Sequence, residues 1–219
     1  MDYDAAITRL NEAATRLGAK GLLQPGDTMS MRLAGCGNAL VLTGSAEALD
    51  IEIAPLSDAP VKAGLHTPLA QHLAVYQARP DVGCVLLNRQ PWAAALHALG
   101  GDMPGVFDEQ IRHLGRAVAV LDTPISAPRN QARLRSGANA WITPEHVLCL
   151  GTIPGRTVFN AELLEKCAKA FVLATSAGLP VGRIPWLVRW IANGRLMKDE
   201  RHAAEQYAQG QTPVLTTAY

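Results

Sequence analysis

A chain of 219 residues with 48% hydrophobic content and a mean hydropathy of +0.07 has enough material for one substantial core, and its size fits one domain better than two. Twenty Lys and Arg against nineteen Asp and Glu leave a formal charge of +1, so no general field draws it to nucleic acid or an anionic membrane, and a small molecule or a protein is the expected partner. The acidic opening Met1-Asp2-Tyr3-Asp4 lacks the basic n-region of a signal peptide and no apolar run approaches a membrane span, which makes the cytoplasm the expected location.

Taken in chain order, Ile7, Leu10, Ala14 and Leu17 recur at helical spacing over residues 4–19, and Gly18, Gly21 and Pro25-Gly26 end that helix. Thr28–Leu33, Ala39–Thr43 and Leu49–Ala54 read as strands, the first two joined by the turn-prone Gly35-Cys36-Gly37-Asn38, so the sheet is expected to start antiparallel. Thr67-Pro68 reads as the cap and first residue of a helix with Leu69, Leu73 and Tyr76 on its apolar face, stopped by Arg79-Pro80-Asp81. Val82–Leu87 reads as a buried strand, Pro91–Leu99 as a helix closed by Gly100-Gly101, and Ala117–Leu121 as a second buried strand. A polar stretch runs through Arg135 before the core strand Val147–Leu150. Thr157 then caps a long helix with Leu164, Ala168, Phe171 and Val172 facing inward. The breaker-rich Gly178–Pro185 leads to a Trp186/Trp190 segment, expected against the core or a neighbouring subunit, and a charged helix around Lys198–Tyr207. Residues 1–180 therefore read as one domain and 181–219 as a helical tail on that domain or a neighbouring subunit. Cys36, Cys84, Cys149 and Cys167 are scattered without CxxC spacing, which favours buried reduced thiols over a zinc knuckle, a redox pair or a disulfide scaffold.

The segment His72-Leu-Ala-Val-Tyr76-Gln-Ala-Arg79-Pro80-Asp81-Val82 resembles the helix-to-strand signature of the class II aldolase/adducin family. Gly26-Asp-Thr-Met-Ser30-Met-Arg32, Thr43-Gly44, Val147–Gly151 and Ala161–Glu165 resemble further segments of that family in the same order, together covering roughly residues 5–177. The resemblance implies a three-layer α/β/α domain around a mixed, largely antiparallel sheet, assembled as a homotetramer. Its enzymes use three histidines to hold a divalent ion and a glutamate to move a proton.

Residue by residue, the resemblance places Leu87 and Arg89 where the paired histidines stand, Glu145 (beside His146) at the third histidine and Pro68 at the glutamate. Leucine offers no lone pair, arginine stays protonated and proline moves no proton, so neither metal nor other cofactor is expected. An Arg89–Glu145 ion pair in the old metal pocket is one expectation; both residues solvated is the other. The anion cradle implied by the resemblance is partly kept in Thr28, Ser30, Thr43, Gly44, Ser45 and Thr67, with His66 as a new acid, base or anion contact. Against this, Thr67 also reads as a helix cap, Thr43-Gly44 as an ordinary turn and His66 as a loop histidine. His72, His97 and His113 lie singly on helical segments and read as structural. Three functions follow: a metal-independent lyase or isomerase of a small anionic metabolite using His66, Arg89 and Glu145; a non-catalytic ligand-binding or assembly protein; or a metal enzyme with ligands relocated among His66, His72, Glu145 and His146.

Overall fold

The computed structural model describes residues 3–45, 48–56 and 67–214. Helix α1 (Tyr3–Ala19) buries Leu10, Ala14 and Leu17 along one stripe, and Gly21, at φ +69°, makes the left-handed turn beyond it. Strands β1 (Thr28–Leu33), β2 (Asn38–Ser45) and β3 (Ala48–Pro55) form an antiparallel meander. Helix α2 (Pro68–Ala78), β4 (Cys84–Asn88), α3 (Pro91–Ala98), β5 (Met103–Pro104), α4 (Asp108–His113) and β6 (Ala117–Val120) follow. After a 3-10 turn at Pro128–Asn130 come α5 (Gln131–Leu134), β7 (Ala140–Ile142), β8 (Val147–Gly151), α6 (Pro154–Ser176) and α7 (Trp186–Ala208). The strands order as β3-β2-β1-β4-β8-β7-β6-β5, and every neighbouring pair is antiparallel except β6–β7.

The period of two along the strands divides the core into two layers. On one face Met29, Met31, Leu42, Leu86 and Cys149 pack with α1, α3 and α6; on the other Val85, Leu87, Leu148 and Leu150 meet Val75 and Tyr76 of α2 and Leu134 of α5. Central β4 and β8 are covered on both sides, which explains their uninterrupted apolar runs. The three-layer α/β/α architecture with a mostly antiparallel sheet is thus as expected. Among the described residues no helix is long and apolar enough to cross a membrane.

Several local expectations are corrected. The inward face of α2 is His72, Val75 and Tyr76 rather than Leu69 and Leu73, because the strands opposite offer hydroxyls as well as methyls to that face. Helix α6 starts at Pro154, so Thr157 lies within its first turn and donates to Cys84 O at 3.2 Å instead of capping. The tail is one continuous helix from Trp186, not a Trp segment followed by a separate helix. Short β5, α4, α5 and β7 carry too few residues for a period to register. Cys84, Cys149 and Cys167 are buried, whereas Cys36 is exposed between β1 and β2.

The second half of α7 docks on the domain through a buried polar cluster. Arg79, 3% exposed, donates to both Asp81 oxygens at 2.8 and 2.7 Å, to Asn139 Oδ1 at 3.0 Å and to Ala138 O at 2.6 Å. It also pairs with Glu200 of α7 at 3.0 Å. Two turns further, Tyr207 donates to Thr152 O at 2.7 Å, and the Arg32 guanidinium lies over the rings of Tyr76 and Tyr207, 5.1 and 5.2 Å from their centroids.

Candidate functional site

The register aligns Thr43, Thr28 and Leu87 across β2, β1 and β4, and Asn88 faces Val147 of β8. One end of the sheet therefore gathers most of the positions singled out above, while α7 docks at the other end, near Gly83 and Thr152. At the first end, Arg89 follows β4 directly, and its Nε donates to Asp27 Oδ1 at 2.9 Å while Nη2 donates to Pro25 O. The pair is asymmetric: the Asp27 side chain is fully buried and that of Arg89 remains 46% exposed. Asp27 Oδ2 also accepts from Gln24 N at 2.8 Å, which fixes the carboxylate from behind. Gly26, at φ +89°, makes the turn, and a β-carbon there would stand 3.5 Å from Arg89 Nη2. The sheet end thus presents a half-exposed guanidinium anchored on a buried carboxylate.

This corrects the expected Arg89–Glu145 pair. Glu145 is exposed in the turn between β7 and β8, which closes on itself: Thr143 N donates to His146 O at 2.8 Å and His146 N to Thr143 Oγ1 at 2.9 Å. Asp27 reaches the guanidinium instead, from the loop before β1. Its place two residues after Pro25 in a Gly-Asp turn was visible in the sequence, but a lone acid in a turn reads as solvated. Leu87 is 3% exposed and belongs to the apolar layer under α2.

Thr28 and Ser30, expected in an anion cradle, turn their hydroxyls to His72 in the core. His72, fully buried, shares hydrogen bonds with Thr28 Oγ1 through Nε2 at 2.9 Å and with Ser30 Oγ through Nδ1 at 2.6 Å. Ser30 Oγ in turn meets the Tyr76 hydroxyl at 2.8 Å. The i, i+4 pair His72/Tyr76 on a helix meets the i, i+2 pair Thr28/Ser30 on a strand, so four polar side chains satisfy one another in the core. Burial pushes the His72 imidazole down to about 3, and a neutral ring serves both hydroxyls by donating to one and accepting from the other. Both spacings were legible in the sequence; their meeting was not.

Thr43 is exposed and stays within β2, and Gly44 and Ser45 pair with Leu49 and Ala48, so Thr43-Gly44 is strand rather than turn. Thr67 is exposed and caps α2, its Oγ1 accepting from Ala70 N at 3.4 Å, with Pro68 opening the helix as expected. His66 lies outside the described residues. Among the described residues no group of three or more His, Cys, Asp and Glu is placed to hold a metal ion. His113 at the end of α4 meets Arg156 Nη1 at 3.0 Å; burial first and that guanidinium second bring it down to about 4.

An eight-stranded mixed sheet of this order between helical layers, with its polar cluster at the β1–β4–β8 end, defines an aldolase-type α/β/α domain. Residues 19–172 match the Class II Aldolase and Adducin N-terminal domain, and the chain belongs to this family. No curated protein matches the sequence. Among solved structures, YgbL of Klebsiella pneumoniae, a putative aldolase/epimerase/decarboxylase, superposes with a TM-score of 0.69 at 16% identity, covering 88% of this chain and 99% of its own. YgbL of Escherichia coli gives 0.67 at 18% identity over 86% and 98%. The L-fuculose-1-phosphate aldolase of Thermus thermophilus gives 0.64 at 18% identity over 79% and 97%.

Proposed function

We propose that this family member binds a small hydroxylated, carboxylated or phosphorylated anion at the Arg89 end of its sheet and acts on it as a lyase or isomerase without a divalent ion. The observation that carries the reading is the Arg89–Asp27 pair: a fixed, half-exposed positive charge at a position where the family resemblance puts a metal-binding histidine. The donor set does not suit a metal, since Leu87 has no lone pair and Arg89 no free pair at any accessible pH. Guanidinium chemistry suits the same electrostatic task, because its planar fork pairs with carboxylate or phosphate oxygens and stabilises negative charge developing on a carbonyl oxygen. Exposed Thr43 and Thr67 add hydroxyls, and His66 is the candidate acid and base; Glu145 contributes charge from the β7–β8 turn. Association into a homo-oligomer belongs to the same reading.

A second reading, a non-catalytic ligand-binding or assembly protein, draws on Leu87. Its burial in the apolar layer replaces a reactive position by core packing. Metal content of untagged protein purified without chelator, and calorimetric titration of wild type and Arg89→Gln with inorganic phosphate and glycolate, test the first reading. Little bound metal and an anion affinity weakened about tenfold or more in the variant support it. Near-stoichiometric metal overturns the metal-free mechanism. Anion binding without carbon–carbon cleavage or epimerisation of any sugar phosphate or hydroxy acid, followed by NMR, favours the second.

A further inference from the structure

The first two turns of α7 turn one side to the domain and leave the rest open. Trp186 is 70% exposed, Trp190 64%, Leu187 49%, Ile191 43% and Val188 41%. At about 100° per residue these five side chains cover an arc of about 200°, and Ala192, which is buried, marks the side turned to the domain. A helix apolar over every direction not taken by its own domain is one that burial surrounds.

Size and shape both point to a copy of this chain as the cover. With whole aromatic side chains of roughly 150–250 Å², the two tryptophans leave about 300 Å² open; Leu187, Val188 and Ile191 bring the face to on the order of 550 Å², against about 800 Å² per partner in a specific interface and at the top of what a lone monomer ordinarily exposes. The face is also self-complementary. Trp186, Trp190 and Gly194 lie at i, i+4 and i+8, one stripe with two large knobs and a notch. Gly194 sits in the helix interior, where glycine is disfavoured, and a β-carbon there would meet nothing within 4 Å, so no packing within this chain requires it. In an antiparallel pair of α7 helices crossing at Trp190, each Trp186 falls opposite the partner's Gly194, the reciprocity that a two-fold interface demands.

We propose that the first two turns of α7 form an isologous interface with α7 of a second copy, each Trp186 seated in the notch at the partner's Gly194. The interface is independent of whether the sheet-end site turns over a substrate. Sedimentation equilibrium of the full chain from about 1 to 100 µM tests it, beside Trp186→Ser/Trp190→Ser and Gly194→Leu. Wild type is expected to self-associate; the double variant is expected to weaken association about a hundredfold, or to halve the assembly mass if other contacts persist, with an unchanged far-UV spectrum. Gly194→Leu, which favours the isolated helix but fills the notch, is expected to weaken association while leaving or raising thermal stability. A wild type monomeric at 100 µM overturns the interface, including one that instead pellets with vesicles containing phosphatidylserine. An assembly unchanged by the tryptophan substitutions, or by leucine at 194, overturns it equally.

Discussion

His72 shows how a residue that reads as a ligand or a bystander becomes a core element. Both ring nitrogens are engaged by β1 hydroxyls, and water has no access to them. Replacing it by Phe keeps the volume but strands Thr28 and leaves Ser30 only Tyr76, an expected loss of about 2 kcal/mol in urea unfolding. Its pH signature has a definite sign. The folded ring titrates at about 3 and the unfolded one near 6.5, so the unfolded chain takes up the proton first. The His72 contribution is complete above 6.5 and is lost as pH falls from there toward 3; His72→Phe should flatten that decline, measured as unfolding free energy at pH 7.5 and 5. The Arg89–Asp27 pair makes a different residue-scale prediction. Arg89→Gln leaves a buried carboxylate with only Gln24 N behind it, at an expected cost of about 2 kcal/mol, and Asp27→Asn in the same chain should recover part of it. Additive effects in that double-mutant cycle would show that the two residues do not interact.

At the scale of elements, α7 is held where β-strand ends permit close approach. A β-carbon on Gly83 would overlap the Tyr207 hydroxyl and the backbone carbonyl of Thr152, and the latter cannot move aside. Gly83→Ala should therefore cost about 3 kcal/mol or more by displacing the end of α7, whereas Gly101→Ala, with nothing within 4 Å, should stay within about 0.5 kcal/mol in the same denaturant melts. Glu200 carries the α7 side of the contact with Arg79. Burial and the nearby Asp81 outweigh the pull of Arg79, because one guanidinium serves two carboxylates, and Glu200 is pushed up to about 8. The folded state then keeps a proton that the unfolded chain releases near 4.5, so this contribution falls as pH rises from 4.5 through 8. Glu200→Gln should remove that slope, read as a smaller drop in melting temperature between pH 6 and 9 than wild type shows.

For the whole molecule, the two helical layers and α7 form one connected body. Leu196, Glu200, Ala203 and Tyr207 join α7 to both the Arg79 cluster and the sheet end at Gly83. A chain ending after Pro185 should lose well over 3 kcal/mol, because Arg79 and Asp81 lose the element that covers them, or fail to fold cooperatively. A melting temperature equal to that of the full chain would show the tail to be an appendage. The first two turns of α7 touch this body on one side, through Ala192, and their wide exposure sets them apart from the half that docks.

Much of this organisation follows from local chemistry. The stripe Leu10, Ala14, Leu17, the β1 boundaries, the Thr67-Pro68 start of α2 and the runs of β4 and β8 were legible because period, capping and burial are written in neighbouring residues. So was the family, through the segment from His72 to Val82. The partners were not. Which acid meets Arg89, whether Thr28 and Ser30 turn to a ligand or to His72, and what holds Glu200 under α7 depend on strand register and helix docking. Those bring together residues 62, 44 and more than 100 positions apart in the chain. Sequence alone determined the layers, through periodicities confined to a few turns or strands. The tertiary structure decided the chemistry of the site, because a charged or hydroxyl side chain takes its role from the one group that closes against it.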